Sequence, residues 1–322
     1  MIPERTRPGL AMAAAGSFSH FDALLEAVAP LDDIPVAVVD AAQEEVLRGA
    51  CEARLQSIVE PVLIGDEAQI RAMLRDIGMD QGSCPNFRIV PAENSEAAAE
   101  LAVQMVEKGE VKALMKGHIH SDAFLHPILA RLRTGQRLSH VFVTELKSYH
   151  KLLLITDAAI NIAPDLLTKA AILQNAVDLA RLLGVECPKA AVLSAIEMVN
   201  PAIVSTVDAA CLAKMGDRGQ IQHALVDGPL AFDNAISAHS AEIKGIRSPV
   251  VGDVDILLVP DLVSGNILAK DLEYMAGATL AGIVLGARVP VILTSRADPP
   301  RARLVSSALA ALVYYGQSKK EN

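Results

Sequence analysis

The stretch VDILLVPDLVSGNILAKDLEY, residues 254–274, changes its pattern midway. Its first seven residues form a branched aliphatic run of strand length closed by Pro260, and helical spacing begins soon after Asp261. A strand that feeds a helix is the building unit of a parallel sheet, because parallel neighbours need a crossover between them. Gly265 permits close backbone approach at the junction, and Asn266 is placed to cap a helix beginning near Ile267. Asn266 and Lys270 lie four apart and share one helical face. The free N–H groups of a helix start, with an amide and an ammonium beside them, suit an anion, although such junctions are also common without one.

The same alternation recurs along the chain. Strands are predicted at 35–39, 61–65, 87–90, 111–115, 140–143, 152–156, 189–195, 254–260 and 289–294. Between them lie helices with readable ends. Asp66 followed by Gln69 has the form of a capping box, and Gly78 suits the left-handed position after the last turn. In TKAAILQNAVDLARLLG, residues 168–184, Ile172, Ala176, Ala180 and Leu183 fall on one stripe that stops at Gly184. These features predict an α/β protein with mostly parallel sheets covered on both faces. The turn-rich TDAAINIAP (156–164), the polar GDRGQ (216–220) and DGPLAFDN (227–234) read as loops or element ends.

Length and composition narrow the function. At 322 residues and 52% apolar content the chain can build two cores, and with 3% aromatics and no Trp they must be filled by aliphatic side chains. The net charge of −9 argues against broad contact with nucleic acid or an anionic membrane. Between Lys108 and Lys151, however, eight Lys or Arg face three acids, a local excess suited to a small anionic ligand or a solvated face. The longest tempting apolar stretch, YMAGATLAGIVLGA (274–287), is below the roughly 20 residues of a membrane helix. Four cysteines without a CxxC pair suggest a reducing cytoplasm and no disulfide or metal framework.

Polar clusters follow the strands. Lys116 and Gly117 in MKGHIHSD stand where α/β proteins bind ligands, beyond the carboxyl end of a strand. His118 and His120 lack a third ligand at zinc spacing, so hydrogen bonding by His120 to the adjoining loop is the better expectation. Arg133 in RLRTG and Ser139 offer donors for phosphate-like oxygens, the arginine through its two-pronged fork. VPVILTSRADPP, residues 289–300, ends a strand and at once displays Ser295, Arg296 and Asp298. No GxGxxG, Walker, GxSxG or HExxH motif is present.

Together LMKGHIHSD, RTGQRLSHVFV, TDAAINIAPDLLTKAAILQNAV, RGQIQHALVDGPLAFDNAIS, VPDLVSGNILAKDLEYMAGATLAG and VPVILTSRAD, in order from about residue 114 to 298, resemble the phosphate acetyltransferase and phosphate butyryltransferase family, most of all its butyryltransferase arm. The resemblance implies transfer of a short acyl group, acetyl to butyryl, between coenzyme A and inorganic phosphate. It implies a homodimer and two α/β domains of isocitrate/isopropylmalate dehydrogenase type with a cleft between them. The expected division is 1–145 with 286–322, and 146–285. CoA is then substrate or product, and no tightly bound cofactor or metal is expected. The family's Ser-Arg pair falls on Ser295 and Arg296, and Asn266 with Lys270 falls on its GN-containing helix junction. The acetyltransferases' downstream Asp would fall on Ala302 or Arg303, neither of which can act as that base, leaving Asp298 of SRAD as the substitute candidate. Lys116, His120, Ser121, Arg133, Ser139, Asn161, Asn266 and Lys270 become the phosphate- or CoA-binding candidates.

Residue chemistry agrees, since phosphate carries its own attacking oxygen and the protein need only hold two polyanions and stabilise developing charge. Two other readings stand beside this one. A metal- and nicotinamide-dependent dehydrogenase of the same fold would use Asp227, Asp233 and Asp261. A catalytically impaired CoA-binding or structural protein would account for the missing downstream Asp.

Overall fold

The computed structural model describes residues 17–79, 86–295 and 298–318. The described residues divide into two compact units, 22–136 with 281–318, and 17–21 with 137–280.

In the first unit, β1 (Ile34–Val39), β2 (Val59–Gly65), β3 (Arg88–Pro91) and β4 (Ala113–Lys116) pair in parallel in the order β3-β2-β1-β4. In the same unit, β11 (Val291–Ile292) extends the sheet parallel to β4, and β10 (Thr279–Leu285) runs antiparallel to β11. The helices are α1 (Phe21–Val28), α2 (Glu44–Leu55), α3 (Glu67–Asp76), α4 (Ser95–Glu107), α5 (Ser121–Arg131) and α11 (Pro300–Ser318). The chain leaves β1 toward β3 and returns past β1 to β4. Right-handed crossovers therefore put α2 and α3 on one face and α4 on the other. Helix α11 packs on α2, and α5 on α4. The strand order reverses between β1 and β4, a switch point of the kind at whose carboxyl ends open α/β sheets bind ligands.

The second unit orders its strands β5-β6-β9-β7-β8, namely β5 (Ser139–Glu145), β6 (Leu153–Thr156), β9 (Ile256–Leu258), β7 (Lys189–Leu193) and β8 (Leu225–Leu230). Only the β5/β6 pairing is antiparallel. Its helices are α6 (Leu166–Leu182), α7 (Val204–Asp217), α8 (Phe232–Ile236), α9 (Ala238–Ile243) and α10 (Leu262–Tyr274). The cores of both units are aliphatic, with β1, β4 and β6 buried along their whole lengths apart from Pro35.

The predicted α/β class and dominant parallel pairing are present, and the readings of Asp66 with Gln69, Gly78 and Gly184 as helix ends hold. The Asp66 carboxylate accepts from Gln69 N at 3.0 Å, Gly78 has φ of 69°, and the helix ending near Gly184 carries Ile172, Ala176 and Ala180 inward. Four details differ. Residues 227–230, expected to be a loop or element end, belong to β8; an edge strand tolerates Gly228-Pro229 because a missing N–H on its outer side breaks no ladder. The apolar run around 279–285, weighed only as a membrane segment, is β10. Helix α10 starts earlier than expected and is capped by Asp261, whose carboxylate accepts from Ser264 N at 2.8 Å, so Asn266 lies inside the helix. Cys51 is disulfide-bonded, which corrects the expectation of no disulfide; Cys187 and Cys211 are free thiols. Among the described residues no helix is long and apolar enough to cross a membrane.

Candidate functional site

In the first unit the carboxyl ends of β1, β4 and β11 come together. Gly117 N donates to Val39 O at 2.9 Å and His118 N to Asp40 O at 2.8 Å, so the chain leaving β4 folds tightly over the end of β1. Only glycine fits there, since a Cβ on Gly117 would lie 2.3 Å from Asp40 O. Asp40 itself has φ of 57°, and its carboxylate accepts from Ser95 Oγ at 2.6 Å. Lys116 is buried at 4% exposure on this edge, with Nζ 3.5 Å from Gly117 O. His120 is the N-cap residue of α5 but forms no side-chain cap bond, and Ser121 begins that helix; both are exposed.

Ser295 ends the β11 segment. Its N–H donates to Asp298 Oδ2 at 2.7 Å, and its C=O accepts from Arg303 Nη2 at 3.0 Å. The peptide before and the peptide after Ser295 are thereby both held by charged groups. Asp298 is buried at 2% exposure. Arg303, on the first turns of α11, is fully buried and also donates to Thr294 Oγ1 at 2.7 Å and toward Lys116 O at 3.4 Å. Burial pulls the Arg303 pKa down, while Asp298 and Glu45 act to keep the charge. Arg296, the expected phosphate ligand, lies outside the described residues. Arg133 is exposed at the far end of α5 and donates from Nε to Leu129 O at 2.7 Å.

The second unit assembles a separate set. Beyond β6, both carboxylate oxygens of Asp157 accept from the loop that follows: Oδ1 from Ala159 N and Ile160 N, Oδ2 from Asn161 N and Asn161 Nδ2. Asn161 is thus locked, and its Oδ1 accepts from Arg137 Nε at 2.8 Å. This orients an exposed guanidinium whose other nitrogens are available to an anion. The same loop meets α10. Gly265 packs so closely that a Cβ would lie 2.7 Å from Val259 Cγ2 and 3.0 Å from Asp157 O. Asn266, exposed, reaches toward Ala158 O with Nδ2 at 3.4 Å. Lys270 pairs with Glu273 at 2.6 Å and lies 5.5 Å from the centre of the Tyr274 ring. Ser139 is fully buried, and its hydroxyl accepts from Asn175 Nδ2 at 2.8 Å.

The aspartates of the dehydrogenase reading have local partners. Asp227 accepts from Gly228 N, Asp233 pairs with Lys244, and Asp261 caps α10. Among the described residues no three His, Cys, Asp or Glu side chains gather as metal ligands would.

Structure thus joins Ser295 to Asp298 in one unit and Asn161 to the Asn266 helix in the other. Residue-by-residue reading missed Asp40, Arg137, Asp157 and Arg303 as parts of these networks. For Arg303 a signal existed: it directly abuts LVSSALAALV, a helical stretch apolar enough to be buried.

Residues 86–311 match the family model described as phosphate acetyl/butaryl transferase. The chain is 48% identical over 301 residues to the phosphate acetyltransferase of Rickettsia typhi, an alignment covering 92% of this chain and 85% of that protein. It is 42% identical over 281 residues to the phosphate butyryltransferase of Clostridium acetobutylicum, covering 86% and 92% respectively. Among solved structures, a branched-chain phosphotransacylase from Enterococcus faecalis superposes with a TM-score of 0.74 at 31% identity, over 87% of this chain and 99% of that one.

Proposed function

The chain belongs to the phosphate acetyl/butaryl transferase family, and on that premise we propose the parts its residues play as it transfers an acyl group between coenzyme A and inorganic phosphate. A phosphate oxygen attacks the thioester carbonyl carbon. The C–O bond forms as the C–S bond breaks, leaving an acyl phosphate and a CoA thiolate that takes up a proton. The reverse direction begins with loss of that proton. No covalent enzyme nucleophile is required, so rate enhancement comes from alignment and from donors aimed at developing charge; one such donor is worth about 2.7–4 kcal/mol.

The observation that carries this reading is the double restraint of Ser295 at the carboxyl edge of the first unit. A hydroxyl on so fixed a backbone suits hydrogen bonding to the carbonyl oxygen or the CoA sulfur. Arg296, the next residue, binds phosphate or the acyl phosphate. Asp298 is buried and already accepts the Ser295 N–H, which fits holding the loop better than exchanging a proton with solvent. Lys116, His120, Ser121 and Arg133 contribute charge or donors from the same unit. Asn161 acts through Arg137, which with Asn266 and Lys270 receives CoA oxygens; Ser139, fully buried, serves the packing of its sheet.

A homodimer in the cytoplasm is part of the proposal. Exposed Val204 and Val207, on helix α7 that packs on the edge strand β8, and exposed Met198 and Val199 in the loop leading into that helix, support a partner copy. CoA esters and phosphate as substrates support the compartment, and the disulfide at Cys51 is the observation that runs against it.

The test is free-thiol release from acetyl-, propionyl- and butyryl-CoA, with and without phosphate and chelator, for the unchanged chain and Arg296→Ala. Expected is release that requires phosphate and ignores chelator, with turnover greatly reduced and phosphate saturation weakened in the variant. Wild-type kinetics in Arg296→Ala would remove that residue from its role. Release without phosphate would overturn the reaction itself.

A further inference from the structure

We propose that Arg303 is a positioning residue for acyl transfer: its buried guanidinium clamps the Ser295 carbonyl beside the end of β4 and so sets where the Ser295 hydroxyl points. This rests on Ser295 belonging to the reacting centre. Three contacts define the clamp. Nη2 donates to Ser295 O at 3.0 Å, Nη1 donates to Thr294 Oγ1 at 2.7 Å, and Nη1 also leans on Lys116 O at 3.4 Å. One planar group therefore ties the ends of β11 and β4, the two strands whose carboxyl ends carry Ser295 and Lys116.

The fold is built around this side chain. Gly49 of α2 has no Cβ to offer, and one placed there would lie 2.8 Å from Arg303 Cβ and 2.9 Å from Arg303 Cδ. Helix α2 thus approaches until it confines the arginine stem. Asp298 supplies the compensating charge and holds the Ser295 N–H, so the serine is gripped from both of its peptides. As a pure stability device the arrangement is poor. Removing a guanidinium from water is costly, and Nε is buried without a hydrogen-bond partner among the described residues. Apolar residues of similar volume commonly serve packing better at such positions. A buried cation kept here is explained by what its fork does to Ser295.

The test uses the full chain with butyryl-CoA and phosphate, comparing Arg303→Met, Arg303→Lys, Gly49→Ala, Ser295→Ala and the Ser295→Ala/Arg303→Met pair. Methionine keeps much of the volume and removes the fork. Expected for Arg303→Met is a fall in kcat of about 10²-fold with KM values within about threefold, because a displacement near 1 Å has that effect on a reacting geometry. Lysine returns the charge on a single nitrogen without the planar fork, and should recover about tenfold of the loss. In the Ser295→Ala background, Arg303→Met should cost less than about threefold, since the hydroxyl it directs is gone. Independent, multiplying losses would overturn the inference while leaving Ser295 in the site, as would near-wild-type kcat in Arg303→Met. Wild-type rates in Ser295→Ala would instead remove the reading beneath it, and the inference with it. Should methionine prevent folding, Gly49→Ala decides: it keeps the charge but shifts the stem, and kcat within about twofold of wild type would overturn the clamp.

Discussion

Gly117→Ala asks how closely the carboxyl edge of the first unit must be assembled. The added methyl would lie 2.3 Å from Asp40 O and 2.4 Å from Val39 O. Carbon and oxygen approach no closer than roughly 3.3 Å, so the chain beyond β4 has to retreat from β1 by about 1 Å. Both obstacles are backbone, Val39 at the end of central, buried β1 and Asp40 directly after it, and no side-chain rotation relieves them. The retreat stretches two bonds, Gly117 N to Val39 O at 2.9 Å and His118 N to Asp40 O at 2.8 Å, out of good geometry. Overpacking costs about 1–3 kcal/mol, and each weakened bond adds about 1 kcal/mol, so the expected loss is about 3–5 kcal/mol. Because Lys116 O meets Arg303 and Arg303 meets Ser295, the shift also reaches the acyl-transfer centre. A 1 Å displacement there lowers kcat by about 10²-fold. Urea unfolding reads the first quantity, and thiol release at saturating acyl-CoA and phosphate, below the unfolding temperature, reads the second. A variant less than about 0.5 kcal/mol destabilised and within about twofold of wild-type turnover would refute the reasoning, because ordinary surface changes do no more.

Two further outcomes follow from other contacts. Asp298→Asn retains an oxygen able to accept the Ser295 N–H but loses the charge facing Arg303. A fall in kcat of about tenfold with an unmoved pH profile is expected of a positioning group, whereas loss of the profile's acid limb would make Asp298 the base. Asp253 lies near three cationic or titratable partners, His150, Lys151 and Lys189. Burial opposes its ionisation, yet Lys189 and Lys151 outweigh that and hold its pKa down at about 2. Since the folded value is below the unfolded value of about 3.9, its stabilisation is complete above about pH 4 and disappears as pH falls toward 2. The side chain is 41% exposed, so screening by solvent reduces the contribution at neutral pH to about 1 kcal/mol. Asp253→Asn should be destabilised by that amount at pH 7, with the gap closing in acid; a gap constant down to pH 2 would rule the ion pairs out as its source.

Much of the fold was legible because its signals are local. Nine of the strand segments announce themselves as short branched runs, and Asp66 with Gln69 or Gly184 mark helix ends through geometry that spans a few residues. β8 and β10 were hidden for different reasons. Asp227-Gly228-Pro229 has turn composition, and it becomes a strand because β7 supplies a ladder on one side. TLAGIVL is apolar enough for strand or helix, and its place opposite β11 decides.

The sequence by itself determined the α/β class, the ends where strands hand over to helices, and the motif set that carries acyl transfer to phosphate. Those depend on period, capping and residue chemistry over short spans. Tertiary structure alone decided that Arg303 grips Ser295, that Asn161 aims Arg137, and that Gly117 must lie against Asp40. Each joins residues whose contact depends on strand order or on buried charge, and neither quantity is written in any local stretch of the chain.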